Sequence, residues 1–214
     1  MFLYIFQDNP AAGVAFLLGL VLGITVHEAA HATSAYWLGD DTAYRDGRVT
    51  LNPASHLDVL GSLMLLMAGF GWGKPTPVMP SKLRGGIFGP VAVALAGPVS
   101  NLLIVAACGA LYLVPVFQSG NLAIVVLMTA FTNALLFVFN LIPIPPLDGS
   151  KILFPFLPRA LNGFVDFMNQ YGPMILFGLI IISFVTNLPI FNYLLAPVMP
   201  ILTAFGLPLP PIGF

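Results

Sequence analysis

The chain has 214 residues, of which 58% are hydrophobic and only 7% are charged, and its formal net charge at pH 7 is −1. Ordinary soluble domains carry about 25% charged residues, so this composition excludes a water-soluble fold, and its hydrophobicity excludes a disordered chain. It indicates an integral membrane protein. The absence of a basic excess argues against a nucleic-acid partner, and a single cysteine excludes an internal disulfide.

Four apolar stretches are long enough to cross a bilayer as helices, because a crossing takes about 20 residues. The predicted spans are 11–38, 87–114, 121–141 and 172–187. Prolines break the apolar tail that follows, so that tail fits either one more broken helix or a segment lying along the membrane. The sequence therefore predicts an all-α polytopic membrane protein with about four to six transmembrane helices.

The apolar stretches follow one another without a visible repeat, which predicts one membrane-embedded domain over residues 1–214. The core of this domain is expected at 11–160. Residues 172–214 are expected to form a proline-rich, apolar helical region.

A shorter apolar segment, Leu57–Phe70, lies between the first two predicted spans and contains Asp58. Its length of about 14 residues is short for a crossing. Its flanks, 47–51 and 74–78, are predicted to be extended. We therefore expect a re-entrant or interfacial segment, whose non-helical backbone is satisfied by protein or by a water-filled cavity.

The distribution of basic residues predicts the orientation of the chain. If Leu57–Phe70 does not cross, all seven Lys and Arg side chains fall on one side, while 1–10 and 115–120 on the other side carry none. The positive-inside rule assigns the basic side to the cytoplasm. If the segment does cross, this segregation is lost.

The first predicted span contains His27-Glu28-Ala29-Ala30-His31, an H-E-x-x-H motif. Residues four apart share a helix face, so both imidazoles can reach one metal ion, and Glu28 can approach a metal-bound water as general base. Ionisable residues in an apolar helix are costly and indicate function. The alternative is a polar cluster that only hydrogen-bonds helices together.

A catalytic zinc ion needs a third protein ligand and an open fourth position. The candidate is Asp148, which follows a proline cluster that ends the third predicted span. Gly149 permits a sharp turn beside it. The alternative for Asp148 is an ordinary loop residue after a helix.

Three motifs in this order resemble the site-2 protease family of intramembrane metalloproteases. They are the H-E-x-x-H helix, Ala96-Gly97-Pro98-Val99-Ser100-Asn101, and Asn140-Leu141-Ile142-Pro143 leading to Leu147-Asp148-Gly149. Residues 51–53 and 71–78 resemble short prokaryotic members without PDZ or CBS domains. The resemblance covers about residues 20–151 and implies a zinc endopeptidase of the cell membrane. Such an enzyme cuts membrane proteins within or near their transmembrane segments, in regulated intramembrane proteolysis.

The resemblance also implies roles for particular residues. His27, His31 and Asp148 would bind Zn²⁺, and Glu28 would activate the water. Asn140 would hydrogen-bond the substrate backbone or the developing oxyanion, with a helix-packing amide as its alternative. Gly97, Pro98 and Asn101 are expected to be structural.

His56 and Asp58 stand at the entrance to the re-entrant segment. A gate for water or substrate, a second metal site and an ordinary hydrogen-bonded loop pair are all open interpretations, and the third is favoured. The surrounding region, Arg45–Val78, is predicted to clamp an extended substrate by β-augmentation.

The expected partners are transmembrane protein substrates and the lipid bilayer, while the oligomeric state stays open. Two other functions fit a metal site among membrane helices: a divalent-metal transporter, and a non-catalytic membrane protein that binds helices. Inverted repeats, which many transporters contain, are not visible in the sequence.

Overall fold

The computed structural model describes residues 6–68, 71–186, 193 and 195–210. In chain order its helices are α1 (Pro10–Trp37), α2 (Thr42–Arg45), α3 (Val59–Ala68), α4 (Phe88–Tyr112), α5 (Gly120–Asn140), α6 (Asp148–Leu153), α7 (Asn162–Thr186) and α8 (Val198–Ala204). Short 3₁₀ turns join several of them. No β-strand forms in the described ranges, and an isolated antiparallel bridge pairs Leu57 with Gly73.

Within the described part of the chain, four helical stretches are long and apolar enough to cross a membrane. They are α1, α4, α5 and Arg159–Ser183, which contains most of α7. The prediction of an all-α polytopic membrane protein is confirmed, and the first three spans agree with the predicted bounds to within a few residues.

Helices α1, α4 and α5 pack against one another in the core bundle. Small residues on α1 let α5 approach closely. At Gly19 an added Cβ would lie 2.6 Å from the hydroxyl of Thr132, and at Gly23 it would lie 2.7 Å from Oδ1 of Asn133. Close approach of this kind maximises van der Waals contact, which drives helix association in a membrane, where lipid removes the hydrophobic driving force.

The proline-rich tail contributes to this bundle. The side chains of Val198, Leu202 and Leu207 are buried in the same apolar cluster as Ala12 and Phe16 of α1. The described part of the tail, 195–210, therefore packs on the bundle at the end where α1 begins. Residues 187–192, 194 and 211–214, on which part of the predicted C-terminal region falls, lie outside the described residues.

The fourth predicted span begins ten residues too late, because α7 starts at Asn162 and continues through Gly172 and Pro173. Proline disturbs one helical turn locally, and long membrane helices tolerate it. Gly172 does not end a helix but allows α7 to pack closely on the loop after α5, since an added Cβ would lie 2.9 Å from Cδ of Pro145.

The segment between α1 and α4 turns back on itself, so that residues before and after α3 lie next to each other. Helix α3 has 10 residues, so it spans about 15 Å, half the thickness of the hydrocarbon core. The bridge between Leu57 and Gly73, together with a 2.7 Å hydrogen bond from the Lys74 amide to the His56 carbonyl, holds the two ends side by side. Neighbouring ends are expected of a segment that re-enters, and the re-entrant interpretation stays a prediction. The predicted extended flanks do not form a β-ladder among the described residues.

Candidate metal centre

The structure brings together the three predicted ligands, although more than a hundred residues separate Asp148 from the two histidines. His27 and His31 lie one helical turn apart on α1, and Asp148 is the first residue of α6. The two Nε2 atoms are 3.0 Å apart, and each lies 3.1 Å from Oδ2 of Asp148. All three side chains are buried.

Hydrogen bonds on the far sides of the imidazoles fix their tautomers. Nδ1 of His31 lies 2.7 Å from the carbonyl oxygen of Val93, so it must carry the proton and donate. Nδ1 of His27 lies 2.7 Å from Oδ1 of Asn101, and the Nδ2 group of Asn101 donates to the Gly23 carbonyl. Since that amide group is oriented by its own donation, Nδ1 of His27 is also the donor. Both Nε2 atoms are therefore left with lone pairs.

This donor set fits a divalent metal ion. Two Nε2 lone pairs and a carboxylate oxygen are all acceptors, and without a cation they would repel one another at the observed separations. A tetrahedral ion with bonds of about 2.0 Å places its ligands about 3.3 Å apart, close to the 3.0–3.1 Å found here. Two imidazoles and one carboxylate match zinc and leave a fourth position open. Among the described residues, these three form the metal-ligand group.

Gly97 makes room for the site. It faces α1 from α4, and an added Cβ would lie 2.6 Å from Nε2 of His27 and closer still to Nε2 of His31. The sequence predicts close packing at this glycine, and the structure identifies the two imidazoles as what packs there. Pro98 lies inside α4 as expected.

The loop after α5 delivers Asp148 to the histidines. Gly149 packs against the Leu141 carbonyl with no space for a side chain. Oδ1 of Asp148 accepts a hydrogen bond of 3.1 Å from Nζ of Lys151, one turn along α6. The carboxylate is thus oriented by Lys151 on one oxygen, which leaves Oδ2 for the imidazoles.

Glu28 contacts the segment that follows α3. Its Oε2 accepts hydrogen bonds from the backbone amide of Thr76 at 2.9 Å and from the Thr76 hydroxyl at 2.6 Å. It is half-buried and directly follows the ligand His27. The predicted general base therefore directly follows a predicted ligand in the sequence, and its carboxylate is held by a residue outside α1.

Among the described residues, no hydrogen bond links Asn140 to His27, His31 or Asp148. Its Nδ2 donates to the Leu136 carbonyl of its own helix at 3.0 Å. A role in binding substrate stays a prediction.

His56 and Asp58 have local partners. Nε2 of the buried His56 lies 2.8 Å from the Thr50 carbonyl, and Oδ1 of Asp58 accepts the Gly61 amide at 2.7 Å, near the start of α3. Neither belongs to a metal-ligand group in the described part of the chain. These contacts favour the hydrogen-bonded loop over a second metal site.

Four residues around the site were not predicted to act there: Asn101, Asn133, Lys151 and Thr76. Asn101 and Asn133 form a chain across the bundle, in which Nδ2 of Asn101 donates to Oδ1 of Asn133 at 3.0 Å. A signal for both was available, because an amide in an apolar span needs a hydrogen-bond partner. Nothing in the sequence alone pairs Thr76 with Glu28.

Comparisons with known proteins identify the family of this chain. Residues 114–185, which include Asn140 and Asp148, match the sequence model of peptidase family M50. The chain is 38% identical over 192 residues to "Putative zinc metalloprotease YwhC" of Bacillus subtilis (strain 168), covering 86% of this chain and 84% of that protein. It is 28% identical over 184 residues to "Putative zinc metalloprotease Rip2" of Mycolicibacterium smegmatis, covering 78% of this chain and 67% of that protein. No solved structure matches the chain. By the extent of its match to the Bacillus protein, the chain belongs to peptidase family M50, the site-2 protease family.

Proposed function

We propose that this chain is an intramembrane zinc endopeptidase, which hydrolyses peptide bonds within or near transmembrane segments of membrane proteins. The observation that carries the proposal is the convergence of three buried acceptors, His27, His31 and Asp148, with Glu28 following His27 in the sequence. The names of the relatives, zinc metalloproteases, support both the metal and the reaction class.

The residues present can perform peptide hydrolysis. His27, His31 and Asp148 would hold a zinc ion, which supplies a Lewis acid and lowers the pKa of a water in its fourth position toward neutrality. Glu28 accepts a proton from the attacking water and delivers it to the leaving amine, so a single carboxylate serves first as base and then as acid. Asn140 remains the candidate donor to the substrate backbone or the oxyanion.

The position of the site supports access from the cytoplasmic side of the cell membrane. His27 lies about 15 Å along the helix from the end of α1, and that end is followed by the loops that carry Arg45, Arg48 and Lys74. Trp37 and Tyr44 are exposed there, as expected of aromatic side chains at a membrane interface. We therefore propose that water enters from the basic side.

A substrate helix must unwind locally before its peptide bond is accessible. An extended substrate would pair with the irregular segment after α3 by β-augmentation. Pro75 and Pro77 lack N–H groups, so at those two residues the substrate would donate hydrogen bonds and the protease would accept them.

The test is cleavage of a model transmembrane peptide by the purified protein in detergent, with and without a chelator. We expect cleavage that the chelator abolishes and that added zinc restores. Glu28→Gln should abolish cleavage while zinc stays bound. Turnover by that variant, or turnover unaffected by the chelator, would overturn the proposal. Metal uptake into proteoliposomes without peptide cleavage would favour the transporter.

A further inference from the structure

The segment Gly73–Met79, called the strap below, passes over α1 at Glu28. Thr76 lies in its middle and directs both its amide and its hydroxyl to the same carboxylate oxygen, Oε2. The hydroxyl also lies 3.1 Å from the Glu28 backbone carbonyl. No hydrogen bond to Oε1 is found among the described residues, so the two carboxylate oxygens have different environments.

The sequence of the strap isolates the Thr76 amide. Thr76 stands between Pro75 and Pro77, which have no N–H group. It is therefore the one backbone donor in three consecutive residues, and it donates to Glu28. Each proline also restricts the residue before it to extended conformations, which limits how far the Thr76 backbone can reorient.

The strap is fixed on both sides of Thr76. On one side the Lys74 amide donates to the His56 carbonyl at 2.7 Å, and the buried guanidinium of Arg48 donates to the Lys74 carbonyl. On the other side the Met79 amide donates to Oδ2 of Asp40 at 2.6 Å.

The strap also packs closely on α1 at Gly73. An added Cβ at Gly73 would lie 3.0 Å from Cγ2 of Ile24 and 3.2 Å from the His56 carbonyl oxygen. A segment anchored at both ends and packed this closely suits a fixed role better than a movable cover.

From these contacts we infer that Thr76 is a positioning residue for Glu28: it holds Oε2 and so presents Oε1 to the proton that is transferred. The inference rests on the proposed function. Glu28 is long and flexible, and misplacement of a reacting group by about 1 Å can lower a rate about 100-fold. Two donors on one oxygen restrict that freedom before substrate arrives.

The first test compares Thr76→Val, which keeps the side-chain shape but loses the hydroxyl, with Thr76→Ser, which keeps the hydroxyl. We expect Thr76→Val to lower kcat about 10- to 100-fold with KM and zinc content nearly unchanged. Thr76→Ser should recover most of the wild-type kcat. The matched control is Thr203→Val, at an exposed threonine of α8, which should cleave like wild type.

Several outcomes would overturn the inference. A wild-type kcat in Thr76→Val, or a faster one, would show that the hydroxyl does not position Glu28. An effect on KM alone would make Thr76 a substrate contact. Equal loss in Thr76→Ser and Thr76→Val would assign the loss to folding and not to the hydroxyl.

A second test measures the contact without catalysis. Hydrogen exchange of the Thr76 amide in metal-free protein should be at least about tenfold faster in Glu28→Ala than in wild type, because the donor loses its acceptor. The Met79 amide, which is held by Asp40, should exchange at the same rate in both and thereby reports that the strap remains folded. Unchanged exchange at Thr76 would contradict the inference.

The two tests separate this inference from the proposed function. If wild type cleaves, Glu28→Gln does not, and Thr76→Val equals wild type, the endopeptidase stands and the positioning role fails. If wild type itself does not cleave under any metal condition, both fail, whatever the exchange rates.

Discussion

The two ends of the α1–α4–α5 bundle are held together by different interactions. At the end where α1 begins, apolar side chains such as Ala12, Phe16, Met128 and Leu202 are buried against one another. From the middle of α1 toward its end, the buried side chains are polar: Asn101 joins His27 to Asn133 by hydrogen bonds, and His27 converges with His31 and Asp148 as the three acceptors of the metal-ligand group.

The difference indicates that the apolar part of the bundle mainly stabilises the fold, whereas the polar part forms the metal site. Apolar contacts tolerate exchange of one side chain for another of similar volume, at a cost of less than about 1.5 kcal/mol. A buried polar group needs its own partner, and its loss leaves another group unsatisfied. Substitutions at the apolar end should therefore change stability, and those at the polar end should change metal binding.

The largest effect on metal binding is expected from Gly97→Ala. Its methyl group would stand 2.6 Å from Nε2 of His27 and nearer to that of His31, in the space where the ligands converge. We expect zinc content, measured by mass spectrometry of the purified protein, to fall close to zero. Gly178→Ala is the control, since no atom lies within 4 Å of a Cβ added there. A full zinc complement in Gly97→Ala would contradict this site.

Asn101→Ala should lower zinc affinity by about 10- to 100-fold, the range found when a partner that orients a metal-ligating histidine is removed. The reason is that His27 loses the acceptor for Nδ1 and no longer has a fixed tautomer. Affinity is measured by competition with a zinc indicator. Asn162→Ala, at an exposed asparagine in the first turn of α7, should bind zinc like wild type. Equal affinity in the two variants would remove Asn101 from the site.

Leu202→Ala tests the apolar end. Leu202 is completely buried, and removing such a side chain should destabilise the protein by about 2–4 kcal/mol. The expected result is a lower Tm with an unchanged zinc content. A large loss of zinc at temperatures well below Tm would show that the two ends are not independent.

The smallest effect concerns Asp40, which anchors the strap. Burial alone would raise the pKa of this carboxyl, but hydrogen bonds from Thr42 and the Met79 amide outweigh it, with a smaller contribution from Lys82, and the pKa lies below the ordinary 3.8. Since the folded protein favours the charged form, this stabilisation is present above the ordinary pKa and is lost as the pH falls through the lower folded value.

Exchange of the Met79 amide measures that effect. It should stay slow at neutral pH, after correction for the intrinsic pH dependence, and should become faster only in strong acid. Asp40→Asn should remove the transition, because it no longer has a titrating group. A transition near neutral pH would contradict the assignment to Asp40.

Much of this arrangement follows from the sequence. Hydropathy over about 20 residues identifies α1, α4 and α5, and the i, i+4 spacing of His27 and His31 already places them on one face. Asp148 is identified by the proline cluster before it and by its likeness to a family motif. The sequence does not predict the start of α7, because Gly172 and Pro173 are typical of a helix boundary. The packing of Gly172 on Pro145, which explains this glycine, is visible only in the structure.

The residues that orient the site are harder to predict, because their partners are set by tertiary structure. Asn101 meets His27 only when α4 packs on α1, and Thr76 meets Glu28 only when the strap lies across α1. In both cases the residue type is a common one and the spacing along the chain carries no information about the contact.

Zinc K-edge X-ray absorption of the purified wild-type protein tests the central claim most directly. The account predicts about one zinc per chain, coordinated by two imidazole nitrogens and by oxygen at about 2.0–2.1 Å, with no sulfur ligand. In Asp148→Asn the zinc content should fall, while in Asp166→Asn, at an exposed carboxylate, it should not. Absence of zinc, a sulfur ligand at about 2.3 Å, or an unchanged spectrum and zinc content in Asp148→Asn would contradict it.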